Sequence, residues 1–226
     1  AHVLDHPRGK AALMGNVPVD RIGAAFGKLG EGLALAEHGL VLKPWPSCGY
    51  THRIMTCALR LKDRAVAESI DRIDAHLPDF HAQVLPFQQP TSRAEALFSL
   101  PYVIAMGLSR GGLDLSDLVA ETWNDPDIVA LIARIRVHAF APQRPDMNYA
   151  EEDPDRLVVT LEDGRLLEEQ CVFPTGAPQA PMTEAALWAK FRANTGMGPE
   201  QGQADLRDWP AEPRALPVFL NGETVP

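Results

Sequence analysis

A short run from Lys43 to Arg53, with the sequence KPWPSCGYTHR, carries an ammonium, a thiol, hydroxyls, an imidazole and a guanidinium. Pro44 and Pro46 fix the backbone in the first half of the run, and Gly49 frees it again. Polar side chains on a rigid turn are held in one place. The run therefore indicates the edge of a site, where a ligand meets several polar groups at once.

A helix is predicted to begin at the end of this run, from Thr51 to about Lys62. Thr51 is a suitable N-cap, and the apolar residues after it recur at helical spacing. His52 and Arg53 then lie in the first turn, where unpaired amides and the positive end of the helix dipole favour a carboxylate or phosphate. An imidazole with an ordinary pKa near ~6.5 suits proton transfer there, and Lys43 suits carboxylate binding as a point charge.

A structural role explains the same pattern. A proline-rich turn before a helix is common, and a single histidine at a helix start more often caps or packs than catalyses. From spacing alone, two interpretations of His52 stay open, as a catalytic group and as a packed side chain.

The cysteines raise the question of an iron–sulfur cluster, since three thiolates can hold one. Cys48, Cys57 and Cys171 include no C-x-x-C pair, Cys57 falls in a helical pattern and Cys171 in a strand pattern. Reduced structural thiols are therefore expected.

The histidines outside the run show no i, i+4 pair on a helix, so no metal site is predicted. His76, His81 and His138 are expected to be solvated or packed surface imidazoles.

Composition indicates a globular protein and excludes some partners. The 226 residues are 46% hydrophobic and 23% charged, which is enough to bury a core. The net charge of −9 argues against a nucleic-acid partner, which needs a basic face, but leaves a small anionic substrate possible. No apolar run approaches the ~20 residues that span a bilayer, and no export signal is visible. A cytoplasmic protein without a membrane partner is expected.

Hydrophobic periodicity and turn residues predict both helices and strands. Strands are predicted at 33–42, 70–77 and 133–140, with a hairpin at 157–161 and 165–173 around Asp163-Gly164. Further helices are predicted at 92–108 behind Ser92, at 115–122, at 125–132 and at 183–194 behind Thr183. Gly111 is expected to end a helix, 17–30 to be helical or mixed, 65–68 to extend or restart the first helix, and 142–154 to form a loop.

Several short segments resemble one known family, in that family's own order. They are Pro7–Gly9, Lys43–His52, Phe98–Ala105, Val158–Arg165, Pro174–Pro178, Pro181–Thr183 and Lys190–Phe191. The ordered set is similar to the MmgE/PrpD family, whose members dehydrate, decarboxylate or epimerise small polycarboxylates. The resemblance covers the later part of the family's sequence, from just before its smaller domain onward.

The resemblance implies an α+β fold, with a small mixed or antiparallel sheet and helices packed on one face, like the domain that covers the family's active site as a lid. Residues 1–28 are expected to lead from a missing helical domain, 29–182 to form the lid-like domain, and 183–226 to return towards the helical domain. Because family members are longer, the chain is expected to be a fragment or a short homologue. A companion chain or the helical domain would complete it, and exposed apolar surface predicts a homo-oligomer, specifically a homodimer.

The resemblance also implies site residues. The expected catalytic groups are His52, Tyr102 and Lys43, and the expected substrate-binding groups are Ser47, Cys48, Thr51 and Arg53. Tyr102 either donates its phenolic hydrogen bond to a substrate oxygen or is a core aromatic residue with a satisfied hydroxyl. Neither a cofactor nor a metal is expected.

Two classes of function remain. In the first, the chain contributes the lid side of a cofactor-independent lyase or isomerase that moves a proton at carbon in a small di- or tricarboxylate. In the second, it is a non-catalytic, truncated homologue that binds a ligand or a partner. The residues do not select the carboxylate or choose among dehydration, decarboxylation and epimerisation.

Overall fold

The structure is a computed structural model that describes residues 27, 39–65, 69–145 and 147–200. The chain divides into two units between Val41 and Leu42, and everything below concerns the second unit. Most of the predicted N-terminal segment, the tail after residue 200 and residues 66–68 lie outside the described residues. The three-part division of the chain therefore stays a prediction.

A four-stranded mixed sheet forms the centre of the second unit. Its strands are β1 (Ile70–Pro78), β2 (Ile135–Phe140), β3 (Asp155–Leu161) and β4 (Leu166–Cys171). Their order across the sheet is β2-β1-β3-β4, with β1 parallel to β2 and antiparallel to β3, and with β3 and β4 joined as an antiparallel hairpin. The predicted hairpin and the strands at 70–77 and 133–140 are confirmed.

Alternation along the strands decides which face of the sheet meets the core. Ile73, Ala75 and Leu77 of β1 are fully buried, as are Leu157 and Val159 of β3. The residues between them are partly exposed. Because side chains alternate in a strand, one face of the sheet is apolar and must be covered.

Helices cover that face, as the α+β expectation requires. The α-helices described in this unit are α1 (His52–Leu61), α2 (Asp79–Gln83), α3 (Arg93–Ala96), α4 (Leu100–Arg110), α5 (Ala120–Trp123), α6 (Pro126–Ala133) and α7 (Glu184–Thr195). Helix α1 packs on β3, β4 and α4, and α4 packs on α6 and β2. A Cβ atom at Gly107 would lie 2.8 Å from the side chains of Met55 and Ala58, so this glycine lets α4 approach α1 closely.

Two predicted elements need correction, and a third is largely untested. The helix predicted at 92–108 is two helices, because the chain breaks after α3 and starts again at Ser99, whose hydroxyl accepts from the amide of Tyr102 at 3.2 Å. The helix predicted at 115–122 is a 3₁₀ turn, Leu115–Asp117, followed by the single turn of α5. The strand predicted at 33–42 falls largely outside the described residues, and 39–42 contain no strand.

The helices predicted at 51–62, 125–132 and 183–194 are confirmed, whereas the predictions at 17–30 and 65–68 lie almost entirely outside the described residues. Helices α6 and α7 lie within a residue or two of their predicted ranges, and the hydroxyl of Thr183 caps α7 by accepting from Ala186 at 3.2 Å. Gly111 ends α4 with a φ of 78°, the left-handed conformation that glycine adopts most readily. In the part of the chain that the structure describes, we find no helix long and apolar enough to cross a membrane.

Candidate functional site

The Lys43–Ser47 turn is closed by its own hydrogen bonds. The Lys43 ammonium donates to the carbonyl of Ser47 at 3.2 Å, and the buried Ser47 hydroxyl lies 2.8 Å from the Thr51 hydroxyl. Thr51 donates its own proton to the carbonyl of Cys48 at 2.8 Å, so Ser47 is the donor to Thr51. The Cys48 amide in turn donates to Leu97 at 2.9 Å. The turn is therefore fixed both to itself and to the segment between α3 and α4.

Thr51 does not cap the first helix as predicted. It is the last residue of a 3₁₀ turn, Gly49–Thr51, and its side chain makes no capping bond. The reason is that the hydroxyl is already committed to Cys48 and Ser47, while the 3₁₀ turn leads the backbone directly into α1. The helix still begins where the sequence indicated, with His52 and Arg53 in its first turn.

His52 is a buried polar group at the start of α1. Its side chain is only 1% exposed, and its ring meets the Trp45 ring edge-on at 5.2 Å. The Nε2 atom has no hydrogen-bond partner among the described residues. The backbone at Ser47 and Trp45 acts on the ring in the direction that favours its protonated form. A neutral imidazole with its proton on Nδ1 carries its free lone pair on Nε2.

Burial lowers the pKa of His52 to about 4, because removal from water penalises the charged ring. The ammonium of Lys43, and more weakly that of Lys190, lower the pKa further, and the backbone hydrogen bonds oppose the shift. At neutral pH, His52 is thus an uncharged ring that lies under the influence of two positive charges, those of Lys43 and Lys190.

Lys190 was noted in the sequence only as part of a resembling segment, without a role. It lies in the middle of α7 and its ammonium donates to the carbonyl of Pro44 at 3.3 Å. The ammonium groups of Lys43 and Lys190 therefore contact carbonyls of one turn, and both act on His52. No periodicity could have revealed this pairing, because it joins positions separated by most of the domain.

Arg53, the next residue along α1, is committed to a buried ion pair. Its guanidinium is 1% exposed and pairs with Asp155 at the start of β3, which is completely buried. It also donates to the carbonyls of Asp153 at 2.9 Å and Val172 at 3.4 Å. These bonds fasten the first turn of α1 to the sheet. Substrate binding by Arg53 stays a prediction, and the geometry favours a structural role instead.

His81 belongs to the same buried cluster, which corrects its expected surface position. It is fully buried in α2, its Nδ1 lies 3.5 Å from the Arg53 guanidinium, and its ring stacks on Tyr50 with 4.0 Å between centroids. Tyr149 lies over the same guanidinium at 5.3 Å. Burial, assisted by the charge of Arg53, lowers the pKa of His81 to about 4, so this ring is also neutral at pH 7.

Asp155 was missed, although the sequence contained a signal for it. Burial raises its pKa to about 7, against the opposing charge of Arg53. In β3, Asp155 shares its parity with Leu157, Val159 and Leu161, which all face the core. A carboxylate on the inward side of an alternating strand requires a buried partner, so the alternation alone could have pointed to an ion pair.

Tyr102 lies in α4 with its hydroxyl already engaged. The residue is buried, and the hydroxyl donates to the carbonyl of Asp117 at 2.7 Å. Burial raises the pKa of this phenol, and Asp117 adds to the shift. The structure therefore places Tyr102 as a core aromatic residue with a satisfied hydroxyl, and its catalytic role stays a prediction.

The cysteines are free thiols. Cys57 and Cys171 are buried, while Cys48 is partly exposed beside the turn. Within 39–65, 69–145 and 147–200, we find no group of three or more His, Cys, Asp or Glu side chains placed to hold a metal ion.

The structure thus brings together part of the predicted set. Lys43, Ser47, Thr51 and His52 form one cluster, which Lys190 joins, and Arg53 leads directly into the second cluster of Asp155, His81 and Tyr149. Cys48 lies in the chain between Ser47 and Thr51 of the first cluster, and Tyr102 is engaged elsewhere. The result is a neutral buried imidazole flanked by cations, on a helix end that an ion pair fastens to the sheet.

Comparison with known proteins identifies the family of this chain. The chain is 26% identical over 171 residues to the cis-aconitate decarboxylase of Mus musculus. The matched stretch covers 71% of this chain and 33% of the mouse protein. The chain thus spans about one third of the length of this curated relative. A family model described as the MmgE/PrpD C-terminal domain matches residues 45–208, from the Trp45 turn through α7. This chain belongs to the MmgE/PrpD family and carries its C-terminal domain.

Proposed function

We propose that this chain forms the lid side of a cofactor-independent lyase or isomerase that moves a proton at carbon in a small di- or tricarboxylate. The observation that carries the proposal is His52, a buried imidazole that is neutral at pH 7 and has an unengaged Nε2. Such a nitrogen accepts a proton from a bound substrate. The name of the mouse relative supports the polycarboxylate class.

A carboxylate substrate also improves His52 as a base. The pKa of about 4 belongs to the ring without ligand, beside two ammonium groups. A bound anion offsets those charges and so raises the pKa of His52 towards the working pH. Lys43, exposed and with donors beyond the one it gives to Ser47, supplies the charge that holds a substrate carboxylate.

The three reactions differ in what happens to the proton. In an epimerisation it returns to the opposite face of the carbon, and in a dehydration it leaves as the neighbouring carbon loses hydroxide. In a decarboxylation a proton takes the place of the departing carbon dioxide. As a base, His52 takes the proton in the epimerisation and in the dehydration, and the return to the opposite face needs a second group from the rest of the site. In the decarboxylation the ring first takes a proton from water and then delivers it to carbon, so we propose proton transfer at carbon as the common chemistry.

The remaining groups of the site come, in this proposal, from a helical domain or a companion chain. The coverage of one third of the mouse relative supports this view. Ser47 and Thr51 bond to each other and to the backbone, so we assign them to holding the turn in shape, with Cys48 beside it. We further propose that the assembled protein is a homo-oligomer.

The test uses the protein at its native mass from its source, with a panel of small polycarboxylates that includes cis-aconitate. Turnover and deuterium incorporation at carbon in D₂O are followed by NMR. We expect His52→Gln to lower the rate by ~10²–10⁴-fold, the usual contribution of a general base. His138→Gln changes an exposed histidine of β2 and serves as the control. A His52→Gln protein with the wild-type rate would remove His52 from the mechanism.

The second candidate is a non-catalytic binding module. Helix α7 favours it, because none of its residues is buried and Leu187 is 38% exposed, as on a surface that another chain covers. Native protein that neither turns over nor exchanges protons in any member of the panel would support this candidate.

A further inference from the structure

Lys190 has a position that its role in the fold does not require. Lys190 lies on α7, a surface helix with no buried residue. Its ammonium nevertheless donates to the carbonyl of Pro44, in a turn distant in sequence, at 3.3 Å. An ammonium has three N–H donors, and one carbonyl engages one of them. Lys43 makes the matching contact with Ser47, three residues further along the same turn.

A cleft of about 420 Å³ is lined by Lys190 and by Pro44, the residue that follows Lys43 in the chain. Its walls are the Pro44–Pro46 turn, the Gly111–Leu115 segment and one side of α7. Trp45, Lys190 and Asn194 line it, and Asp114 is the acidic residue among its lining residues. The cleft is of the size that accommodates a small molecule.

Trp45 connects the cleft to the proposed base. Its ring lines the cleft and also contacts the His52 ring edge-on at 5.2 Å. The charge of Lys190 also reaches His52 and helps to lower its pKa. His52 is 1% exposed, and among the described residues its Nε2 has no hydrogen-bond partner. A bound ligand near Lys43 and Lys190 would supply one.

We propose that Lys190 is a second carboxylate-binding residue, which with Lys43 selects ligands that carry at least two carboxylates. A monocarboxylate can pair with only one of the two ammonium groups, whereas a di- or tricarboxylate spans both. The proposal rests on the proposed function for the chemistry at His52, but its binding step is measurable without turnover. In this proposal, a residue of α7 determines the selectivity for ligands with more than one carboxylate.

The probes are tricarballylate, a tricarboxylate without a reactive hydroxyl or double bond, and acetate as the monocarboxylate. Binding to the full 226-residue chain is measured by calorimetry. We expect Lys190→Gln to weaken tricarballylate binding ~10-fold and to leave acetate binding within about twofold, since one ion pair is lost. Lys190→Arg keeps the charge and should restore most of the affinity.

Arg192→Gln is the matched control, because Arg192 is an exposed cation on the same helix. It removes the same charge without touching the cleft. Equal losses in Arg192→Gln and Lys190→Gln would reduce the effect to general electrostatics and overturn the proposal. Unchanged tricarballylate affinity in Lys190→Gln, or no saturable binding by the wild-type chain, would overturn it too.

A second readout separates this proposal from the proposed function. In wild-type protein, bound tricarballylate should raise the pKa of His52, measured from its ring nitrogen signals by NMR, and Lys190→Gln should remove most of that rise. Lys190-dependent binding without any turnover would leave the anion site standing and defeat the enzyme proposal. Turnover with an unchanged KM in Lys190→Gln would support the enzyme proposal and defeat the anion site.

Discussion

At the scale of single residues, the proposed function depends on how His52 is kept neutral. Its pKa of about 4 follows first from burial and then from the two lysines near it. The same side chain in water would be partly charged near neutral pH. Enclosure of an imidazole behind Trp45 thus produces a base in its unprotonated form, at a cost in stability when the solution becomes acidic.

That cost is measurable as a pH dependence of unfolding. Because the pKa of His52 is lower in the folded chain, the unfolded chain binds the proton more readily between pH 6.5 and 4. The stability from a neutral His52 is present above pH 6.5 and is lost as the pH falls through that window. The shift is equivalent to about 3 kcal/mol. Denaturant unfolding of wild type and His52→Gln at each pH gives the difference.

Two other buried groups titrate in the same range, so the comparison with His52→Gln is needed. His81, with its lowered pKa, contributes a slope of the same sign, and Asp155, with its raised pKa, contributes the opposite one. Both are present in wild type and variant and cancel in the difference. A wild-type curve parallel to that of His52→Gln between pH 6.5 and 4 would show that His52 titrates normally.

At the scale of elements, two attachments position the site. The ion pair of Arg53 with Asp155 fastens α1 to β3, and the Leu42 amide, at the base of the Lys43 turn, donates to the carbonyl of Gly176 at 2.9 Å. A buried ion pair gives little net stability, but breaking it is costly. Its contribution is therefore orientation, since it fixes the helix end that carries His52.

Gly176 provides a sharp test of the second attachment. It has a φ of 95°, and a Cβ atom there would lie 1.9 Å from the carbonyl oxygen of Leu42. We expect Gly176→Ala to lower the free energy of unfolding by about 3 kcal/mol, from backbone strain and displacement of the Lys43 turn. Chemical denaturation measures the loss.

The matched control is Gly164→Ala in the hairpin turn. Gly164 has a similar φ of 84°, but nothing lies within 4 Å of the added Cβ atom. It should cost only about 1 kcal/mol, the strain of a left-handed alanine. Equal losses in the two variants would mean that the contact with Leu42 does not matter.

At the scale of the whole molecule, the site is open to completion by other residues. The chain spans about one third of its mouse relative, and α7 has no buried residue. The described domain has a well-formed core beneath its sheet, but the lysine pair and α7 lie at its surface. An active site that excludes water requires a second surface against this one.

We therefore expect the native protein from its source to exceed the 24.7 kDa of this chain, as a longer polypeptide, a stable complex or a homo-oligomer. Intact mass spectrometry reports the polypeptide, and light scattering reports the assembly. A monomer of 24.7 kDa without a companion chain would count against the enzyme proposal in its present form and favour the binding module.

The sequence by itself determined the elements whose signals are local. Alternating apolar residues predicted β1 and the strands of the β3–β4 hairpin, and Asp163-Gly164 predicted the turn that joins β3 to β4. Capping residues predicted the starts of α6 and α7. The ordered segments, from Lys43–His52 to Lys190–Phe191, gave the family. The break between α3 and α4 was missed, because the apolar pattern runs through it while the cap at Ser99 interrupts it.

Only the tertiary structure decided which polar groups meet. Arg53 and Asp155 pair across a hundred residues, Lys190 reaches a turn at the other end of the domain, and His81 is buried by neighbours distant in sequence. Burial and charge then move the pKa values of His52, His81 and Asp155. Local periodicity records which face of an element is apolar, but not which element covers it, and that covering determines the chemistry of the site.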